Sequence, residues 1–209
     1  MSDDILAAAT LIANEWRAVA AAWHIAAAIL LVALWRNVDR QWVIGGLALM
    51  LFSVAALAWW SGNPFNGTMF VAVGIMTVVI AATSPPLHSD CPSYTDVCAG
   101  AVMCAFGWLY PHFLNAPAWQ YLYSSPLGLI PCPTLAFIIG TSLLTNSFGS
   151  KLWPYLFGSV GLLYGLIGVF VLGVMIDWLL VAGAATLLLR AVAALQVDDV
   201  MLERKRRHV

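Results

Sequence analysis

Long apolar runs, broken at short intervals by proline, asparagine or a single charge, constrain this chain more than any motif in it. About 20 consecutive apolar residues suffice to cross the ~30 Å hydrocarbon core of a bilayer as a helix. Such runs follow one another at about residues 18–35, 43–60, 67–83, 97–114, 134–148, 153–172 and 177–195. Only 9% of the residues are charged, against roughly 25% in a soluble domain, so these helices could not be clothed in polar surface in water. Inside lipid every backbone N–H and C=O must be satisfied within the protein, which leaves helices for runs of this length. The expected fold class is therefore all-α, a polytopic integral membrane bundle of about seven transmembrane helices.

The fifth run is the shortest, uninterrupted only from Leu135 to Leu144, and a re-entrant segment is its alternative. Charge placement argues for a full crossing. With seven spans, Arg36, Arg40, Lys151, Arg190, Arg204, Lys205, Arg206 and Arg207 share one side and Arg17 alone takes the other. The positive-inside rule then sets the N-terminus outside and the basic end in the cytoplasm. A re-entrant fifth segment would place Lys151 and the basic tail outside, against the same rule. The chain is thus read as 1–16, an interfacial amphipathic segment; 17–196, the seven-helix domain; and 197–209, a basic cytoplasmic tail, in a cell (inner or plasma) membrane.

Asp3 and Asp4 precede the first base, Arg17, which is not how a cleavable signal peptide opens, so the N-terminus is expected to be retained. The net charge of -1, with the basic residues dispersed, gives no footprint for nucleic acid. On this topology Cys132 has no partner thiol on its side, and Cys91, Cys98, Cys104 and Cys132 are all expected to be free. The Cys91/Cys98 interval also lacks the short spacing of common zinc sites.

Once the spans are laid out, the unusual polar segments gather on the outer side: Asn14-Glu15-Trp16, Asn63-Pro64-Phe65, Tyr110-Pro111-His112, Pro131-Cys132-Pro133-Thr134 and Ile176-Asp177. Polar groups and helix breaks at membrane depth are tolerated where they are buried or line a cavity. Asn, Pro and Asp also mark ordinary helix boundaries, which is the plainer reading of the same segments. Candidate binding residues are Glu15, His24, Asn63, His112, Cys132 and Asp177. His112 and Cys132 form a candidate metal or nucleophile pair, and His24, about 10 Å along the first span from Arg17, is either a relay or cofactor-ligating residue or a packed histidine. Gly158, Gly161, Gly165 and Gly168 form a stripe on one face of the sixth span, for close packing within the chain or against a partner or a second copy. Trp59, Trp60, Trp119, Tyr121 and Tyr123 suit an interfacial belt. No cofactor is indicated by the sequence.

The run Gly128-Leu129-Ile130-Pro131-Cys132-Pro133-Thr134 with Phe137 and Gly140, supported by Asn14-Glu15-Trp16, Asn63-Pro64, Tyr110-Pro111, Trp153 with Gly158, and Asp177, resembles a bacterial membrane protein family known as domain of unknown function 6064. The chain departs from that pattern at Phe65, where a small residue would follow the proline. The resemblance implies a small multi-span membrane protein and no particular reaction.

These readings favour a non-catalytic ligand-binding protein or accessory subunit with an outward-facing polar site. A small-solute or metal transporter is the alternative, although span interiors carry few ionisable groups. An enzyme using the Cys132/His112 pair ranks last, because no His-Glu-x-x-His, Gly-x-Ser-x-Gly or phosphate-cradling loop occurs.

Overall fold

The computed structural model describes residues 2–36, 38–83 and 91–207, and is helical with no strand among them. The helices are α1 (Ser2–Glu15), α2 (Arg17–Trp35), α3 (Arg40–Trp60), α4 (Pro64–Thr83), α5 (Tyr94–Leu109), a short α6 (Tyr121–Ser124), α7 (Pro131–Leu144), α8 (Trp153–Leu166) and α9 (Trp178–Arg207). Five helical stretches are long and apolar enough to cross a membrane: Arg17–Trp35, Arg40–Trp60, Pro64–Thr83, Trp153–Val171 and Met175–Ala194. Their outward faces carry exposed Ile25, Ile29, Leu49, Ile75, Phe170 and Leu189, an apolar surface suited to lipid. Of the basic tail, His208 and Val209 lie outside the described residues, as do the side chains from residue 195 onward.

The expected spans at 97–114 and 134–148 are shorter and displaced, with 16 residues in α5 and 14 in α7. Pro111 is the reason for the first difference, because its ring disfavours helical backbone at Tyr110, where α5 stops, and Phe113 then turns to φ 72°. In α7, Pro131 occupies the first helical position, which needs no N–H, and Asn146, Ser147 and Phe148 end the run with φ of 46°, 56° and 54°. At about 1.5 Å per residue α7 is only about 21 Å long. It need not match lipid, because every residue from Pro133 to Leu143 is buried in protein.

That burial depends on small residues. The α5 and α7 backbones approach so closely that a Cβ on Gly140 would stand 2.6 Å from the Cys104 nitrogen and 2.8 Å from the Gly100 carbonyl oxygen. A Cβ on Gly107 would meet the Pro133 carbonyl oxygen at 2.5 Å. The stripe on α8 works in the same way: Gly158 faces Leu188, Gly161 faces Ala184 and Ile139, Gly165 faces Val181, and Gly168 faces Asp177. Of the two uses open to the stripe, packing within the chain is the one seen, with α9 closing over it.

The α3–α4 connection is a Schellman end followed at once by a new cap. Gly62, at φ 76°, donates to the Trp59 carbonyl and Asn63 donates to that of Ala58 at 2.8 Å. The Asn63 side chain then accepts from the Asn66 N–H at 3.1 Å, and Pro64 opens α4. At the opposite end of the bundle, Arg190 reaches from α9 to Asp96 at 2.7 Å and to Ser93 and Thr95 at the start of α5, while Arg40 donates to the Phe148 carbonyl.

Glycine substitutions separate the two environments. Gly140→Ala is expected to destabilise by about 1–3 kcal/mol through overpacking. Gly45→Ala, on an exposed face of α3 with nothing within 4 Å of the added carbon, should stabilise by up to about 1 kcal/mol through helix propensity. Thermal unfolding of both variants in one detergent checks the pair.

Candidate ligand site

One end of the bundle brings together Asn14, Asn63, Tyr110, Pro131 and Asp177, residues from five separate stretches of sequence. Local chain chemistry explains how each is held. Asn14, near the end of α1, donates to the Thr10 and Phe113 carbonyls at 2.7 and 2.9 Å, while its side-chain oxygen accepts from Arg17 at 2.7 Å and from the Asn115 N–H at 3.0 Å. Arg17 also donates to the Asn115 carbonyl. These bonds fasten the α1–α2 corner at Trp16 to the loop after α5.

The start of α7 is equally determined. Pro131 and Pro133 remove two of the N–H groups that a first helical turn leaves without partners. Thr134 donates its hydroxyl to the Ile130 carbonyl at 2.8 Å and accepts from the Gly128 N–H at 3.0 Å, with Gly128 at φ 72° against Trp23. The Pro-Cys-Pro-Thr run is thus a compact helix start that presents Cys132 at its first turn.

Asp177 is 1% exposed and lies at the break between α8 and α9. A π-turn at Ile167–Val171 ends the α8 rod, Gly173 reverses the chain at φ 70°, and Met175–Asp177 form a single 3-10 turn into α9. The carboxylate accepts from the Tyr110 hydroxyl at 2.7 Å through Oδ1. Its Oδ2 is buried without a hydrogen-bond partner and presses against Gly168, where a Cβ would collide with it. The Cys132 thiol lies beside the same carboxylate.

Beside this cluster lies a cavity of about 290 Å³. Its walls are Ile5, Ala8, Ala9 and Ile12 of α1, Val54 and Ala58 of α3, Leu129 to Cys132 at the start of α7, and Tyr164, Ile167 and Leu172 around the end of α8. Ser61, Asn63, Asn66, Cys132 and Tyr164 bring polar side chains to it, and Asn66 accepts from the Tyr164 hydroxyl at 2.9 Å. Among the described residues no Asp, Glu, Lys, Arg or His side chain lines it.

The sequence candidates divide accordingly. Asn63 and Cys132 line the cavity, and Asp177 lies behind Cys132. His112 is exposed with its ring edge-on to Phe113 at 4.4 Å, and no hydrogen bond joins it to Cys132 among the described residues. Glu15 is exposed at the end of α1. His24 belongs elsewhere: it is 3% exposed, and its ring nitrogens lie 2.8 Å from the Ala20 carbonyl oxygen and 3.0 Å from that of Trp108, with Ser125 alongside. Its surroundings are those of a packed histidine. Among the described residues no three His, Cys, Asp or Glu side chains converge as metal ligands would.

Tyr164, Asn66 and the α1 side chains are the site residues that sequence reasoning missed. Tyr164 had a signal, since it is a hydroxyl-bearing residue in the middle of an apolar span and sits within the glycine stripe. The alanines of α1 had none, because Ala8 and Ala9 look like filler until the helix folds over the cavity. No family model, curated protein or solved structure matches the chain.

Two substitutions test the buried pair. Tyr110→Phe deprives a buried carboxylate oxygen of its donor and should cost about 1–3 kcal/mol. Gly168→Ala should also destabilise the protein, and less so in an Asp177→Ala background where the obstructing carboxylate is gone. Unfolding midpoints of the single and double variants give the coupling directly.

Proposed function

We propose that this chain is a multi-pass protein of the cell membrane whose seven helices hold a non-catalytic binding site, opening at the outer face, for a small and largely apolar ligand. It serves as a ligand-binding protein or as the binding subunit of a larger assembly. The observation that carries this reading is the cavity bounded by α1, α3, α4, α7 and α8, with its apolar wall and two asparagines. Pockets that bind small molecules are mostly apolar with a few placed polar groups.

Seven crossings follow when α5 and α7 are counted with the five longer stretches, α7 being sheathed by protein instead of lipid. That parity sets Arg17 and the cavity at one face and Arg40 and Arg190 at the other, and the positive-inside rule makes the latter cytoplasmic. The Pro-Cys-Pro-Thr run, on which the chain resembles the domain of unknown function 6064 family, forms part of the cavity wall. A transporter reading draws on one observation, the unpartnered Oδ2 of Asp177 at a helix break. The nucleophile reading lacks a counterpart, since among the described residues no hydrogen bond joins the Cys132 thiol to His112.

Native mass spectrometry of protein extracted gently from its own membrane is expected to show a retained non-protein mass that disappears in Ala9→Trp, which fills the cavity. A wild-type chain as bare as the variant would overturn the binding-site reading. An N-terminal tag should be reached by antibody on intact cells, with a C-terminal tag reached only after permeabilisation.

A further inference from the structure

We infer that the ligand is an uncharged lipophile that offers a carbonyl oxygen, from an ester or a ketone, to the side-chain amides of Asn63 and Asn66. This rests on the binding-site reading above and specifies its chemistry.

Three features of the cavity lead to that class. Its size, about 290 Å³, is near the lower bound of small-molecule pockets, roughly 300–1,000 Å³, so it takes one ring or chain segment with a polar end and not a whole two-chain lipid. Among the described residues its wall has no charged side chain, so nothing there would compensate a phosphate, carboxylate or ammonium group taken out of water. The remaining question is whether the polar end should donate or accept hydrogen bonds.

Hydrogen-bond accounting answers it. The Asn63 side-chain oxygen is fixed by the Asn66 N–H at 3.1 Å, which orients the Asn63 amide and leaves its Nδ2 donors without a protein partner among the described residues. The Asn66 oxygen accepts from Tyr164 at 2.9 Å, so its Nδ2 is in the same position. The other strong donors of the wall are already committed, the Tyr164 hydroxyl to Asn66 and the Ser61 hydroxyl to the Ala58 carbonyl at 3.0 Å. The two asparagines that line the cavity therefore have amide N–H groups left to donate beside an apolar wall, and a neutral carbonyl is the complement. The hydrocarbon part packs on Ile12, Val54, Leu129 and Ile167, with α1 as the wall that faces away from the bundle core.

Cys132 lines the same cavity and serves as a reporter. In a Cys91→Ser/Cys98→Ser protein, purified in detergent, the rate of maleimide labelling at Cys132 is followed with monoolein, decylubiquinone, dodecane, decanoate or dodecyltrimethylammonium added. At least one of the two carbonyl probes is expected to slow labelling about tenfold, with dodecane and the charged probes well behind. Protection by monoolein alone would identify an ester lipid as the source, and protection by decylubiquinone alone a quinone-like ring. Asn63→Ser keeps a side-chain oxygen to cap α4 but removes the amide donors, and should abolish the advantage of the carbonyl probes over dodecane. Equal protection by dodecane, or stronger protection by a charged probe, would overturn the inference while leaving a binding site in place. Failure of every probe, together with a bare native mass, would remove the site itself.

Discussion

The close approach of α5 and α7 over Gly100, Gly107 and Gly140 is the constraint on which the rest of the molecule depends. A helix of about 21 Å cannot satisfy a bilayer by itself, so α7 has to be enclosed by protein, and only residues without side chains let a neighbouring backbone come close enough. With α7 enclosed, its first turn is fixed in depth. Cys132 then stands beside the point where Tyr110, at the end of α5, meets Asp177, ahead of α9. A shift of α7 by one residue would turn Cys132 away from the cavity and break the Thr134 bonds that shape the Gly128–Ile130 approach.

The polar atoms at this end are mostly committed to structure. Asn14 joins α1 to the loop after α5, Thr134 closes the turn before α7, and Asn63 ends one hairpin arm and begins the next. At the cavity, what is left after these commitments among the described residues is small: the Nδ2 groups of Asn63 and Asn66, with one oxygen of Asp177 behind Cys132. This uncommitted chemistry, set beside apolar walls, is what the proposed reading of the site as a binder of a neutral lipophile rests on.

The all-helical architecture and its five long apolar stretches were legible in the sequence because apolar run length is read directly from residue order. The gathering of Asn14, Asn63, Tyr110, Pro131 and Asp177 at one end agrees with the alternation of apolar runs and polar breaks along the sequence. The sequence could not show which of these would touch. Tyr110 and Asp177 are 67 residues apart and pair only because α5 and the α8–α9 break meet at the same depth. His112, two residues from Tyr110, seemed the more reactive neighbour of Cys132, yet the turn that Pro111 imposes sends it to the surface. Glu15 is likewise exposed at the end of α1, whereas Ala8 and Ala9 farther back along the helix line the cavity. The ends of α5 and α7 were misplaced because hydropathy continues past the prolines and left-handed residues that stop a helix.

An experimental density map of the protein in nanodiscs formed directly from its own membrane tests the central claim most directly. The account predicts elongated non-protein density between α1 and the first turn of α7, with its polar end within hydrogen-bond distance of Asn63 and Asn66. A map in which α1 has closed onto Val54 and Cys132, leaving no space between them, would contradict it.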